Sequence, residues 1–191
     1  NTTGNTDYGA ATQFPVGPNL KKEISGIKEA VRVFAPGTQL VIAGEKRVRE
    51  QGVLFADDAF FRMFNFPLLE GSPSAVLKEP YTAVLTAAAA RKYFGSESPV
   101  GKQIKMGDGY VCTVTGVAKD MPRNTDLKAE IILSFTTLTS REPDMVQRWF
   151  MFGNNVTFVQ LADNTAPEKL TGQLKNFVNL HIGKILERHG L

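Results

Sequence analysis

The spacing of hydrophobic positions changes several times along the chain, and each change predicts a different element. Leu20 and Ile24 lie four residues apart, which indicates a short helix. Asn19 is expected to cap this helix and Gly26 to end it. The next segment, AVRVF, alternates with period two and predicts a strand. The polar residues 1–18 precede both elements and are expected to be flexible.

Strands dominate the middle of the chain. TQLVIA and KRVREQGVLFA predict a hairpin that turns at Gly44 and Glu45. In its second strand Arg47 and Arg49 alternate with Val48, so one face of that strand is expected to be wet. A second hairpin is predicted where KQIKM and YVCTVTGVA flank a Gly-Asp-Gly turn. YTAVL, AEIILSF and NNVTFVQLA are the remaining predicted strands.

Capping residues mark the short helices expected between these strands. DDAFFRMFNF is expected to begin a helix at Asp57 or Asp58, and SPSAVL to form a helical turn capped by Ser72. Thr86 is expected to cap the helix AAAARKYF, and Gly95 to end it. REPDMVQRWFMFG favours one more short helix.

The last segment has the clearest helical pattern. Thr165 and Glu168 have the spacing of a capping box, and an apolar stripe follows them at helical spacing. The stripe consists of Leu170, Leu174, Phe177, Val178, His181 and Ile185. Together these features predict one long amphipathic helix over about residues 166–188, which needs a sheet to cover.

The order of the elements predicts an α+β protein with two lobes. Residues 19–45 and 150–191, from the two chain ends, would form an α/β lobe. Residues 46–149 would form a strand-rich mixed lobe inserted between them. A length of 191 residues is sufficient for two such lobes that share a core.

Composition and charge exclude several classes of protein. Apolar residues make up 42% of the chain and charged residues 21%, which are ordinary globular values. The net charge of +3 is spread without the basic stripe typical of nucleic-acid binding. The sequence contains no run of 18 apolar residues, so it predicts no membrane span. The single cysteine, Cys112, lies in an apolar strand and is expected to be a core residue.

The segment FGSESPVGKQI has some features of a nucleotide-binding loop. That loop needs four residues between its glycines, whereas five separate Gly95 from Gly101. Gln103, which has no hydroxyl group to hold Mg²⁺, follows Lys102. A helix precedes the segment and a strand follows it, which is the reverse of the required order. We interpret the segment as a connector and expect Lys102 to be exposed, with no bound phosphate.

No set of residues has the spacing of a catalytic or metal site. The histidines, His181 and His189, lie eight positions apart on the last predicted helix, too far to share an ion. Asp57 and Asp58 are better explained as a helix cap than as a catalytic pair. The sequence therefore predicts no catalytic, cofactor-binding or metal-binding residue, and no cofactor.

An aromatic cluster between Phe55 and Phe66 has two interpretations. Five phenylalanines and one methionine fall within these twelve residues. Such a cluster could form a partner-binding face. We favour the core of the inserted lobe, because too few polar residues flank the cluster to cover it.

Several segments, in order, resemble one known family. They are GIKEAVRVF, then GVLFADDAFFRMFNFPLLEGSPSAVLKEPYTAVLTAAAARKYFGSESPVGKQIKM, then YVCTVTGVAKDMPRNTDLKAEIILSF. Together they are similar to the MacB-like periplasmic core domain of ABC-transporter permeases of the MacB/FtsX class, especially the large permeases of Bacteroidetes-type bacteria. The similarity covers about residues 19–180.

The resemblance implies a periplasmic domain of an inner-membrane protein, placed between its first two transmembrane helices. It implies a porter-like lobe built from both chain ends, and one further strand after the last helix. The implied partners are a separate cytoplasmic ATPase, a second permease copy, and periplasmic or outer-membrane proteins. In efflux or extraction such a domain relays conformational change and contacts cargo or partners, without covalent chemistry.

Two other classes of function stay open from the residues alone. An enzyme could assemble its site from scattered Asp, Glu, Arg and Tyr, which a deep pocket with convergent carboxylates would support. A free-standing periplasmic ligand- or peptide-binding module would need a sizeable apolar groove between the lobes.

Overall fold

Ten strands and their connecting helices make up residues 10–149, 153–183 and 187, the part of the chain that this computed structural model describes. The strands are β1 (Ile27–Phe34), β2 (Gln39–Ala43), β3 (Lys46–Glu50), β4 (Val53–Ala56), β5 (Leu68–Glu70), β6 (Thr82–Thr86), β7 (Gln103–Met106), β8 (Val111–Ala118), β9 (Ile131–Ser134) and β10 (Asn155–Leu161). The helices are α1 (Val16–Glu23), α2 (Phe60–Met63), α3 (Ala87–Phe94), α4 (Phe135–Arg141), α5 (Pro143–Val146) and α6 (Thr171–Val178). This arrangement confirms the predicted α+β class.

The described strands all belong to one mixed sheet. Its order is β10-β1-β4-β9-β6-β8-β7-β2-β3, and β5 pairs with the end of β8. The pairs β4–β9 and β6–β8 run parallel, and the other pairs run antiparallel. β1 and β10, from the two chain ends, lie together at one edge, while β2 lies near the other edge between β3 and β7. The boundaries of the two predicted lobes stay a prediction.

A short connection shows that the sheet curls. Only Gln51 and Gly52 lie between β3, at the edge, and β4, six strand-to-strand steps away. In a flat sheet those steps would span about 29 Å. The chain from Glu50 to Val53 reaches at most about 11 Å. The sheet must therefore curl, so that its far edge returns towards its centre.

Two apolar cores cover the two faces of the central strands. On β4, Val53 and Phe55 belong to the first core, whereas Leu54 and Ala56 belong to the second. Helices α3, α4 and α5 cover the first core, and α2 covers part of the second. A third, smaller core joins α1 to α6 through residues such as Leu20 and Phe177.

Beyond the centre, the sheet has one uncovered face, which we call the open face. It carries the outward side chains of Leu40, Ile42, Arg47, Arg49, Gln103, Lys105, Val111 and Thr113 on strands β2, β3, β7 and β8. Strand partners opposite one another in these ladders share this face. Their neighbours along the strands, such as Val41, Ile104 and Cys112, are fully buried in the first core. The predicted wet face of β3 is thereby confirmed.

The predicted start of α1 is wrong, and one predicted helical turn lacks its predicted cap. Helix α1 begins at Val16, after Pro15, because proline fits the start of a helix. Asn19 therefore lies inside α1, where its Nδ2 donates to the carbonyl oxygen of Pro15 at 2.7 Å. SPSAVL forms the predicted helical turn, in which the N–H groups of Ala75 and Val76 donate to the carbonyl oxygen of Ser72 at 2.9 and 3.0 Å. The Ser72 side chain does not cap this turn, because its hydroxyl bonds to that of Ser74 at 3.1 Å.

The aspartates predicted to cap α2 do not cap it. Helix α2 begins at Phe60 without a side-chain cap. Asp57 instead accepts hydrogen bonds from the backbone N–H and the Nε of Arg32, at 2.7 and 3.0 Å. Asp58 pairs at the surface with Arg62. A partner distant in sequence therefore determines the role of Asp57.

Helix α3 and the aromatic cluster agree with the predictions. The Oγ1 of Thr86 accepts from the N–H of Ala89 at 3.2 Å, and Gly95 ends α3 with a positive φ of 68°. Phe60 is fully buried, and its ring lies 5.1 Å from Phe64 and 5.6 Å from Phe66. The cluster is therefore core.

The predicted long terminal helix is broken into shorter pieces. A 3-10 turn (Pro167–Leu170) precedes α6, and a π-helical turn (Asn179–Gly183) follows it. The Thr165–Glu168 capping box does not form, because Ala166 takes the position before the turn and no side chain caps it. The Thr165 side chain packs against Gly26 instead, where an added Cβ would come within 2.8 Å of it. Ile185 and His189 lie outside the described residues.

Candidate functional site

Six strand ends form a groove along one end of the sheet. Strands β4, β9 and β10 begin there, and β1, β6 and β8 end there. The groove has two adjoining depressions of about 670 and 470 Å³, which share Gln51 and Lys128. We call it the end groove. Its lining includes Gln51, Asp120, Met121, Leu127, Lys128 and Asn154.

A buried carboxylate, Glu50, lies next to the end groove. The Tyr93 hydroxyl donates to Glu50 Oε1 at 2.5 Å, and the Lys92 ammonium lies 2.5 Å from the same oxygen. Lys92 also lies 3.1 Å from Glu130, which lines the groove. Only 5% of the Glu50 side chain is exposed, so the ion pair is buried on the Glu50 side.

The electrostatics of this cluster favour a fixed ion pair. Burial acts to raise the pKa of Glu50, but hydrogen bonds from Lys92 and Tyr93 outweigh it and lower that pKa. Burial acts to lower the pKa of Lys92, and its bonds to Glu50 and Glu130 outweigh this effect and raise it. Burial and the neighbouring Glu50 both raise the pKa of Tyr93. At neutral pH Glu50 and Lys92 are therefore charged and Tyr93 is neutral.

Two further hydrogen bonds attach α3 to its surroundings. Asp120 Oδ1 accepts from the N–H of Ala88 at 2.7 Å, in the first turn of α3. Near the other end, Lys46 Nζ donates to the carbonyl oxygen of Lys92 at 2.6 Å. The ionised groups of the cluster are therefore paired with one another, as in a structural ion-pair network.

The sequence signal for this cluster was the position of Glu50. Lys46, Val48 and Glu50 alternate along β3 on the side that faces the first core, so a carboxylate at a core-facing position required a partner. Lys92 and Tyr93 could not be identified as that partner, because they lie more than 40 residues away in sequence.

The residues singled out in the sequence are not brought together at one site. Lys102 pairs with Glu97 and lies 5.3 Å from the centre of the Phe94 ring, and 37% of its side chain is exposed. Cys112 is fully buried, and burial raises the pKa of its thiol to about 12. The ring of His181 stacks on Trp149 at 4.2 Å. Within the described ranges no cluster of His, Cys, Asp and Glu could hold a metal ion.

The chain is an α+β domain with one mixed sheet, a groove at one end of that sheet and one uncovered sheet face. No helix in the described part of the chain is long and apolar enough to cross a membrane.

The chain belongs to the family of MacB-like periplasmic core domains, whose model matches residues 2–177. It is therefore a MacB-like periplasmic domain of the ABC-transporter permease family, as the sequence resemblance implied. No curated protein matches the chain.

Solved structures of similar domains agree with this assignment. A domain of a putative permease protein from Porphyromonas gingivalis has a TM-score of 0.78 and 25% identity, over 91% of this chain and 79% of that chain. The periplasmic region of MacB from Actinobacillus actinomycetemcomitans has a TM-score of 0.68 and 17% identity, over 89% and 74%. The extracellular domain of the noncanonic ABC-type transporter YknZ from Gram-positive bacteria has a TM-score of 0.63 and 17% identity, over 96% and 87%. The last two show the shared fold.

Proposed function

We propose that this domain transmits conformational change from an inner-membrane ABC permease into the periplasm, and contacts partner proteins or cargo there without covalent chemistry. The permease would work as a dimer with a separate cytoplasmic ATPase. The observation that carries the proposal is the single continuous sheet, which runs from the two chain-end strands β1 and β10 to β3.

The pairing of β1 with β10 supports transmission through the chain ends. Their ladder extends from Ile27 opposite Leu161 to Phe34 opposite Asn155. In the arrangement implied by the family, both chain ends lead to membrane helices. A movement of those helices would then act on one hydrogen-bonded edge of the sheet, and the sheet would carry it to the far edge.

Contacts on both sides of the sheet support movement as one body. On one side the guanidinium of Arg32, on β1, lies 2.8 Å from Asp57 and 3.7 Å from the centre of the Phe135 ring. On the other side Phe64, after α2, meets Phe158 of β10 edge to face at 5.0 Å. Both contacts tie the chain-end strands to residues 46–149, the predicted inserted lobe.

The test uses the intact permease assembled with its ATPase in lipid nanodiscs. Spin labels at Lys22→Cys alone report the distance between two permease copies. Labels at Lys22→Cys and Lys105→Cys in one copy, diluted with unlabelled permease, report the distance across the domain. The native Cys112 can stay, because it is buried.

The proposal predicts a specific pattern of distances. Between the nucleotide-free and ATP-trapped states, the distance between copies should shift and the distance across the domain should not. An unchanged distance between copies would contradict the relay. A shift across the domain would contradict movement as one body.

Membership of the permease family favours this function over a free-standing periplasmic binding module. The enzyme hypothesis needed convergent carboxylates with pKa values suited to proton transfer. Next to the end groove the pKa of Glu50 is lowered and its charge is paired, which supports a structural role.

A further inference from the structure

The open face carries positive charge without compensating negative charge. Arg47, Arg49 and Lys105 form no ion pair within the described ranges, and no Asp or Glu lies among the eight residues of the face. Elsewhere, cations near the sheet such as Arg32 and Lys92 are paired. The open face therefore has an electrostatic potential that suits an acidic partner.

Apolar side chains lie between these cations. Ile42 stands opposite Arg47 on one side and Lys105 on the other, and Val111 stands opposite Lys105. Leu40, opposite Arg49, is 36% exposed, and Val111 is 40% exposed. A bound segment would therefore find apolar contacts next to each charge.

The edge of the sheet at β3 also offers backbone hydrogen bonds. β3 pairs only with β2 among the described strands. Because Gly44 and Glu45 form a two-residue turn, Lys46 and Val48 exchange hydrogen bonds with β2. The N–H and C=O groups of Arg47 and Arg49 then point away from β2, towards the free edge.

We propose that the β3 edge and the open face bind an acidic, extended segment of a partner protein, which adds to the sheet as a further strand. Its carboxylates, two residues apart, would stand opposite Arg47 and Arg49 on the open face. This proposal rests on the proposed function, because it names the class of partner that the domain would contact. It is tested on the chain alone, whereas transmission of movement is tested on the intact permease, so either proposal can fail while the other holds.

The geometry favours this occupant over two others. A second copy paired through β3 would bring the cations of both edges together, and like charges opposite one another destabilise a strand pair. An anionic lipid surface would attract the three cations, but it would leave the backbone groups of the edge without strand partners. An acidic strand would pair with the cations and would also form hydrogen bonds with the backbone groups of the edge.

The first experiment titrates the full chain with a synthetic peptide of about nine residues that alternates glutamate and threonine. Amide chemical shifts are recorded by NMR at low ionic strength. The amides of Arg47 and Arg49 should shift most, and a peptide with glutamine in place of glutamate should bind at least about tenfold more weakly. Equal binding of the two peptides, or shifts confined to other elements, would overturn the proposal.

Variants separate the charges from the backbone. Arg47→Glu with Arg49→Glu should weaken binding at least about tenfold. Lys22→Glu with Lys175→Glu, the same change of charge on exposed residues of α1 and α6, should change it less than about twofold. Equal losses in the two double variants would show binding to overall charge and would refute the site.

The backbone contribution is tested at one position. Arg49→Gln removes only the charge, whereas Arg49→Pro also removes the outward N–H and leaves the bonds to β2 in place. The proline variant should bind about fivefold more weakly than the glutamine variant, provided that circular dichroism shows both to be folded. Equal affinity in two folded variants would exclude strand addition. Tighter binding to vesicles of anionic lipid than to the peptide would overturn the proposal in favour of a lipid surface. Dimerisation in analytical ultracentrifugation that Arg49→Pro abolishes would overturn it in favour of a second copy of the chain.

Discussion

The central strands and the edge strands belong to one sheet but lie in different surroundings. Every residue of β4, β6 and β9 is buried, whereas β7 alternates between exposed and buried positions and β3 is largely exposed. A strand covered on both faces needs a continuous apolar run, and a strand covered on one face needs alternation. We therefore expect the centre to supply most of the stability, and the edge to tolerate changes in its outward side chains without loss of the fold.

The largest expected effect on stability comes from the second core, where α2 packs on the central strands. Phe60→Ala removes a fully buried ring that packs against Phe61, Phe64 and Phe66. The free energy of unfolding, measured by urea denaturation, should fall by about 3–5 kcal/mol. The matched variant Val111→Ala, on the open face, should cost less than about 0.5 kcal/mol. Similar losses in both variants would remove the distinction between centre and edge.

The next largest effect concerns the contact between the chain-end strand β1 and Asp57, the residue that follows β4. Asp57→Ala leaves the guanidinium of Arg32, 14% exposed, without its carboxylate, and should cost about 2–4 kcal/mol. The double variant Arg32→Met with Asp57→Leu removes both charges and should recover part of that loss. If the double variant were the less stable of the two, the penalty would come from lost packing rather than from an unpaired charge.

A smaller, pH-dependent effect is expected at Glu50. Its lowered pKa means that its contribution is present above its ordinary value of 4.5 and is lost as pH falls through the folded pKa. Glu50→Gln should cost about 1–3 kcal/mol at neutral pH, measured by urea denaturation, and less and less in acid. A cost that stays constant down to acid pH would show that the charge of Glu50 is not responsible. The control Glu97→Gln, in an exposed pair with Lys102, should have no measurable effect.

The smallest expected effect on stability is at the open face. Leu40→Thr and Arg49→Gln should each change the free energy of unfolding by less than about 0.5 kcal/mol, because both side chains are exposed. Arg49→Gln should still weaken binding of the acidic peptide. Thermal unfolding and peptide titration of the same variants would show whether stability and peptide binding change independently. A large loss of stability would mean that the open face is part of the structural core.

Local patterns were sufficient where one residue's role depends on near neighbours. The β2–β3 hairpin follows from its two-residue turn, and α3 follows from Thr86 and Gly95. The α+β class and the family could also be predicted, because several such segments occur in a specific order. The apolar runs of β4 and β9 indicated strands but did not show that they pair in parallel.

Local patterns failed where a distant partner competes for the same side chain. Asp57 could cap α2 with one hydrogen bond, but Arg32 offers several, and they come from a strand 25 residues away. The cluster around Glu50 was missed for a similar reason. Helix α4 was not predicted, since FTTLTSR carries only Phe135 and Leu138 as strong apolar positions.

The burial of Cys112 has a consequence for a domain that folds in an oxidising compartment. In the periplasm an accessible lone thiol can be captured as a mixed disulfide with another protein. Once β8 is in the sheet, the sulfur is enclosed, and its pKa of about 12 keeps it from forming a thiolate at neutral pH. In such a compartment the thiol would be open to capture only until β8 joins the sheet and encloses it.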